Sequence, residues 1–165
     1  MSGVGDGRQY IAFRLGREEY AFEISTIREI FPIQDVTKVH RSPSYIEGVM
    51  NLRGRLVTVV DLRKRFKLEA REPDENSRII VVEATDAPVG FLVDEVTEVA
   101  NFADESVEAV PAYVADSIES EYVSGIAKLG ERLITVIDPL KVLELSADEA
   151  EEAGGKSNGD DSGGR

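Results

Sequence analysis

A chain of 165 residues, 42% hydrophobic and 31% charged, has material for one compact domain or two small ones sharing a core. Its formal net charge of −13 at pH 7 repels phosphate backbones and anionic headgroups, which argues against nucleic acid and membrane surfaces and leaves proteins as the expected partners. The absence of cysteine excludes disulfides, thiolate chemistry and cysteine-ligated metals; no apolar run approaches the ~20 residues of a membrane-spanning helix, so a cytoplasmic setting with no membrane insertion is expected.

Residues 1–8 carry neither the basic patch nor the apolar stretch of a signal peptide and are expected to be flexible. Ile11, Phe13 and Leu15 then alternate with Ala12 and Arg14, Gly16-Arg17-Glu18-Glu19 supplies a turn, and Tyr20, Phe22 and Ile24 alternate again, which predicts a hairpin. Val57 to Val60, Ile79 to Val82, Val89 to Val93 and Leu133 to Ile137 are short, rich in β-branched residues and bounded by Gly, Pro or Asp, as buried strands are. Helix is expected only as single turns, after Ser42-Pro43, over Asp61 to Phe66, and from Pro139 to Leu145. Residues 146–165 are rich in Gly, Ser, Asp and Glu without large apolar side chains, and read as a disordered acidic tail. Six lysines and thirteen arginines against 32 acidic residues would suit a high-salt cytoplasm, and equally an ordinary acidic protein. Met1 and the degenerate tail are expected to bound a complete chain.

The ordered body, residues 9–145, repeats itself. Tyr45 to Asp61 lies over Tyr122 to Asp138 at an offset of 77, and Phe22 to Ile30 over Phe91 to Val99 at an offset of 69. The copies agree in tyrosine, glycine, arginine and aspartate as well as in aliphatic residues, so they share more than strand hydrophobicity. A unit of about 70 residues buries only around 60% of its unfolded surface. The copies are therefore expected to form two intertwined barrel halves, leaving a crease where a partner segment can lie.

Leu15-Gly16-Arg17-Glu18-Glu19-Tyr20, Arg28-Glu29-Ile30, the block Gly48-Val49-Met50-Asn51-Leu52-Arg53-Gly54 with Val60-Asp61-Leu62-Arg63 after it, Val93-Asp94, and Glu121-Tyr122-Val123-Ser124-Gly125 together resemble the CheW-like family of chemotaxis coupling proteins. The likeness runs from Tyr10 to about Leu145. It implies a mainly β fold of two five-stranded SH3-like barrels around a shared hydrophobic core. It also implies an adaptor without cofactor or metal, monomeric when isolated, that couples chemoreceptor cytoplasmic tips to the CheW-like regulatory domain of the histidine kinase CheA.

An adaptor needs apolar strand faces left partly open, with a few charges to fix register. Ile27, Glu29 and Ile30, with Val96, Glu98 and Val99 as their counterparts, provide such a mixture, and the resemblance places partner contacts at Ile27, Glu29, Gly48, Arg53 and Val99. Each of the aliphatics Ile27, Ile30, Val96 and Val99 reads as core somewhat more readily than as contact. Arg53 stands out because its counterpart is Gly130, so the hairpin does not require arginine there. It is expected before a positive-φ Gly54 and paired with Glu29. His40, the sole histidine, reads as a solvated loop residue, and Asp94-Glu95 and Asp160-Asp161 as solvated charge rather than catalytic or metal-binding pairs. No phosphate-binding glycine loop is present. Two further readings are a coupling domain cut from a larger chemotaxis protein and a small β-barrel enzyme with a convergent carboxylate pair.

Overall fold

The structure, a computed structural model, describes residues 7–84, 87–103, 106–109 and 121–143. The acidic tail lies outside the described residues, whereas Gly7 and Arg8, within the stretch expected to be flexible, already belong to the first strand. The period-two segments form β1 (Gly7–Leu15), β2 (Glu18–Glu23), β3 (Ile27–Pro32), β4 (Ile46–Leu52), β5 (Arg55–Asp61), β6 (Arg78–Glu83), β7 (Pro88–Val93), β8 (Glu95–Ala103), β9 (Val107–Glu108), β10 (Val123–Leu129) and β11 (Arg132–Ile137). Among the described residues the α-helices are α1 (Leu62–Arg65) and α2 (residues 139–143), and a 3-10 turn lies at Ile24–Thr26. The helical turn expected after Ser42-Pro43 is instead an isolated turn in which the Ile46 N–H donates to the Pro43 carbonyl.

The strands divide into two sheets. Barrel 1 has the order β3-β6-β7-β5-β4 and barrel 2 the order β8-β1-β2-β11-β10-β9. The segment Phe22 to Ile30 leaves barrel 2 at β2 and enters barrel 1 at β3, while Phe91 to Val99 leaves barrel 1 at β7 and enters barrel 2 at β8. Each sequence copy thus contributes strands to both barrels, and neither barrel can form from one copy alone.

The two offsets reappear as register. Tyr10 faces Glu23 as Ile79 faces Leu92, Ile11 faces Val99 as Ile80 faces Ile30, and the parallel pairs Tyr20–Thr135 and Val89–Thr58 correspond. Even the bulges match. Arg28 and Thr97 are the unpaired residues of β3 and β8, as Glu47 and Ser124 are of β4 and β10. A sixth strand in barrel 2, where five were expected, enlarges a feature of barrel 1. β9 sets Glu108 against Ile126 where barrel 1 has only the isolated bridge from Thr37 to Val49.

Shared residues of the repeat have structural work. Asp61 and Asp138 each cap the helix that follows, accepting from the Arg63 and Leu140 N–H groups at 3.0 Å. Tyr45 and Tyr122 flank the buried Arg65, whose guanidinium lies 5.5 and 5.9 Å from their ring centroids. The main core draws Phe13, Leu15, Phe22 and Ile137 from barrel 2 and Val60, Ile80, Val82 and Phe91 from barrel 1, so the barrels share one apolar interior.

Only one of the two crossings between barrels carries a charge, and its side chain is largely withdrawn from solvent. Asp94, between β7 and β8, accepts from Arg63 Nε at 2.8 Å and Nη2 at 2.7 Å, and from the Gly16 N–H in the β1–β2 turn at 2.7 Å. Burial alone would raise the Asp94 carboxyl, but these donors hold it below the usual carboxylate range. The counterpart of Asp94 at the other crossing is Ser25.

Candidate functional site

The rims where each sheet ends carry most of the residues that the sequence offers as candidates. In barrel 1, β3 and β4 are the two end strands. Pairing of Leu52 with Arg55 leaves Arg53-Gly54 as a two-residue turn, and both residues have positive φ, 53° and 84°, the geometry that matches strand twist. Gly54 is the expected positive-φ residue. Arg53 shares that backbone, which β-carbon-bearing residues adopt at a cost. Its side chain crosses to the opposite end strand, donating from Nη1 and Nη2 to the Glu29 carboxylate at 2.9 and 2.8 Å and lying 6.0 Å from the Phe31 ring centroid. The Arg53 guanidinium holds the Glu29 carboxyl below its ordinary range. The pair is solvent-facing, so it orders a surface more than it stabilises the fold.

Barrel 2 closes its rim differently. Leu129 pairs with Arg132 around Gly130-Glu131, and only Gly130 has positive φ. Glu98, the counterpart of Glu29, is reached by Arg132 at 3.3 Å, and the same guanidinium holds Glu19 at 2.6 Å. Arg132 corresponds to Arg55, which in barrel 1 turns instead to Glu83 at 3.3 Å.

The aliphatic candidates divide by position. Ile27 and Val96 are half-buried and pack on the main core, whereas their neighbours Ile30 and Val99 are 36% and 55% exposed. Gly48 is buried rather than presented. A β-carbon there would sit 2.1 Å from the Thr37 carbonyl oxygen, and its φ of 148° lies where side chains are strained. Gly125, its counterpart, admits the Glu108 backbone in the same way, so the repeated glycine lets a covering segment cross the strand. Reading the sequence missed Leu56 and Leu133, counterparts at the start of β5 and β11 that are 64% and 62% exposed. Both sit at the second paired position after a turn, on the face opposite the buried Val57 and Ile134. Asp61 and Glu47 do meet in a small polar hollow with Lys64 and Arg71, and burial raises the Asp61 carboxyl. Asp61 is occupied in capping α1 and Glu47 lies 3.7 Å from Lys64, which gives the pair a structural use.

Two barrels with matching registers, each showing aliphatic side chains beside an ordered ion pair, define a two-barrel β protein whose rims are related but unequal. A family model described as "CheW-like domain" matches residues 9–147, and the chain belongs to that family. It is 35% identical over 143 residues to the chemotaxis protein CheW of Klebsiella aerogenes, covering 87% of this chain and 86% of the relative. Identity to the Bacillus subtilis CheW is 33% over 147 residues, with 89% and 94% covered. Among solved structures, the scaffolding protein TtCheW from Thermoanaerobacter tengcongensis superimposes with a TM-score of 0.73 at 35% identity, covering 79% of this chain and 83% of that one. The chain is a chemotaxis coupling adaptor with the two-barrel fold of that family.

Proposed function

We propose that this chain bridges chemoreceptor cytoplasmic tips and the CheW-like regulatory domain of the kinase CheA, engaging one partner at each barrel rim and performing no chemistry itself. The observation that carries the reading is Arg53. The fold accepts glycine at the equivalent turn position, yet barrel 1 keeps an arginine in left-handed backbone and uses it to set Glu29. A strained residue whose side chain orders an exposed carboxylate is better explained by what the surface must present than by folding.

On this reading Arg53, Glu29, Ile30 and Leu56 form one contact face, and Val99, Leu133 and the Arg132–Glu98 pair the other. Ile27 and Val96 support these faces from beneath, and Gly48 acts by letting the Thr37 segment lie flat. Moderate surfaces engaged together raise avidity through local concentration. The expected setting is the cytoplasmic side of a receptor-bearing membrane; among the described residues no helix is long and apolar enough to cross one. Co-sedimentation of the full chain with cognate kinase and receptor fragments, omitting each component in turn, tests the bridge. The kinase is expected in the receptor pellet only when this chain is present, and its retention without the chain would refute the reading.

A further inference from the structure

The segment that runs from β3 to β4 over Gly48 has a charge out of keeping with the rest of the molecule. In a chain of net charge −13, Lys38, His40 and Arg41 follow one another with only Val39 between, all four are exposed, and the exposed Asp35 is the one acidic residue of 33–41. Among the described residues none of the three basic side chains has a hydrogen-bond, ion-pair or ring partner. By contrast, Arg28, Arg55 and Arg132 lie against carboxylates. The same segment exposes Ile33 and Val39, at 39% and 43%. Arg41 also has positive φ, 63°.

The antiparallel bridge between Thr37 and Val49, with both hydrogen bonds at 2.8 Å, directs residues 33–36 toward the Arg53 turn and residues 38–41 toward the other end of β4. The segment is therefore continuous with the Arg53 face. It also occupies the outer edge of β4 at Val49, leaving no unbroken edge for an added strand. Recognition must run through side chains, and an element that meets an apolar and basic strip through side chains is an amphipathic helix with acidic flanks. Seven extended residues from Ile33 to Val39, six steps of chain, span at most about 20 Å, which about four turns of helix would cover.

We propose that residues 33–41 are a docking strip for an acidic amphipathic helix of the same partner that reads Arg53. The inference rests on the bridging function and adds to it the chemistry of one partner's contact segment. Apolar contacts to Ile33 and Val39 place the helix, and Lys38 and Arg41 select its charge.

Two measurements on the full-length protein test this. A synthetic helix of about four turns, with leucines on one face and glutamates beside them, should shift amide resonances of residues 33–41 in the wild type and leave them unmoved in Lys38→Glu/Arg41→Glu. In binding assays with the receptor fragment and the kinase regulatory domain separately, the double reversal should weaken by about tenfold or more at low salt the same fragment that Arg53→Ala weakens, and leave the other unchanged. Thermal melts of the reversal variant should match the wild type, since the substituted residues are exposed. Equal peptide shifts in the two proteins, or binding that depends on Arg53 but not on Lys38 and Arg41, overturns the strip while sparing the bridge. Failure of both fragments to bind the wild type overturns both. If neutralising Asp148, Glu149, Glu151 and Glu152 moves the same amides with no peptide present, the occupant is the chain's own acidic tail and the proposal falls.

Discussion

The two barrels are built to one register and finished in two ways. Bulges, capping aspartates and the glycines beneath the covering segments recur at constant offsets, whereas the residues that tie the rims do not. Barrel 1 reaches Glu29 from the tip of its hairpin through Arg53, and barrel 2 reaches Glu98 from the strand beyond the tip through Arg132. Where the copies agree, the residue solves a folding problem that both must solve. Where they differ at an exposed position, the fold has left a choice open, and the difference is available for telling two partners apart.

The crossings offer the most forceful way to break the comparison. Asp94→Ser would make the second crossing resemble the first, and would leave the guanidinium of Arg63, whose side chain is only 11% exposed, with the Glu69 carbonyl as its remaining partner. Removing one member of a fully buried pair costs about 3–5 kcal/mol; this pair is partly buried and Arg63 keeps the Glu69 carbonyl, so a urea titration should show a loss near the lower end, about 3 kcal/mol, against less than about 0.5 kcal/mol for Ser25→Ala. The loss should depend on pH in one direction. The Asp94 carboxyl is depressed in the folded state, so its contribution is present above the unfolded pKa and disappears as pH falls through the folded one. Wild type and Asp94→Ser should converge in acid. A gap that held constant through the acid range would show that Asp94 stabilises by shape and not by charge.

Glycine substitutions rank next and sharpen the likeness between the covering segments. Gly48→Ala drives a methyl group into a backbone carbonyl at 2.1 Å in a strained conformation, while Gly125→Ala first meets a Val107 methyl at 2.6 Å and the Glu108 carbonyl at 2.7 Å. Both should destabilise, Gly48→Ala by about 2–3 kcal/mol and Gly125→Ala by about 1–2 kcal/mol, within the range for overpacking. Chemical denaturation of the two variants measures the difference, and the reverse order would mean that the Thr37 segment yields more readily than β9.

Much of this was legible because period-two alternation and a duplicated pattern are properties of the chain itself. The mainly β class and the single helical turn after Asp61 could be read directly, and the pairing of Arg53 with Glu29 could be guessed from charge and family position. Intertwined halves were expected, but which segments carry the exchange shows only in three dimensions, since Phe22 to Ile30 reads as one continuous piece while its ends lie in different sheets. The sequence also offers Gly48 as a surface contact, although the Thr37 carbonyl above it comes from a segment with no strand signature. Leu56 and Leu133 escaped notice for the opposite reason: a leucine in a strand pattern suggests the core, and only the sheet's geometry shows that these two face solvent.

The smallest expected change in stability belongs to the residue with the largest expected effect on binding. Arg53→Gly copies the turn of barrel 2 into barrel 1. It removes an ion pair that is largely in water and at the same time relieves a left-handed backbone conformation, so the variant should melt no lower than the wild type. Arg53→Ala loses the same ion pair but keeps the strain, and should melt slightly below Arg53→Gly. Both should lose affinity for the same partner fragment, because Glu29 is then left without its fixed neighbour and the face without its positive charge. Differential scanning calorimetry beside a fragment pull-down separates the alternatives: an Arg53→Gly protein that melts well below the wild type would make this arginine a structural closure of barrel 1, equivalent in purpose to Arg132, and the asymmetry between the rims would then be one of route and not of role.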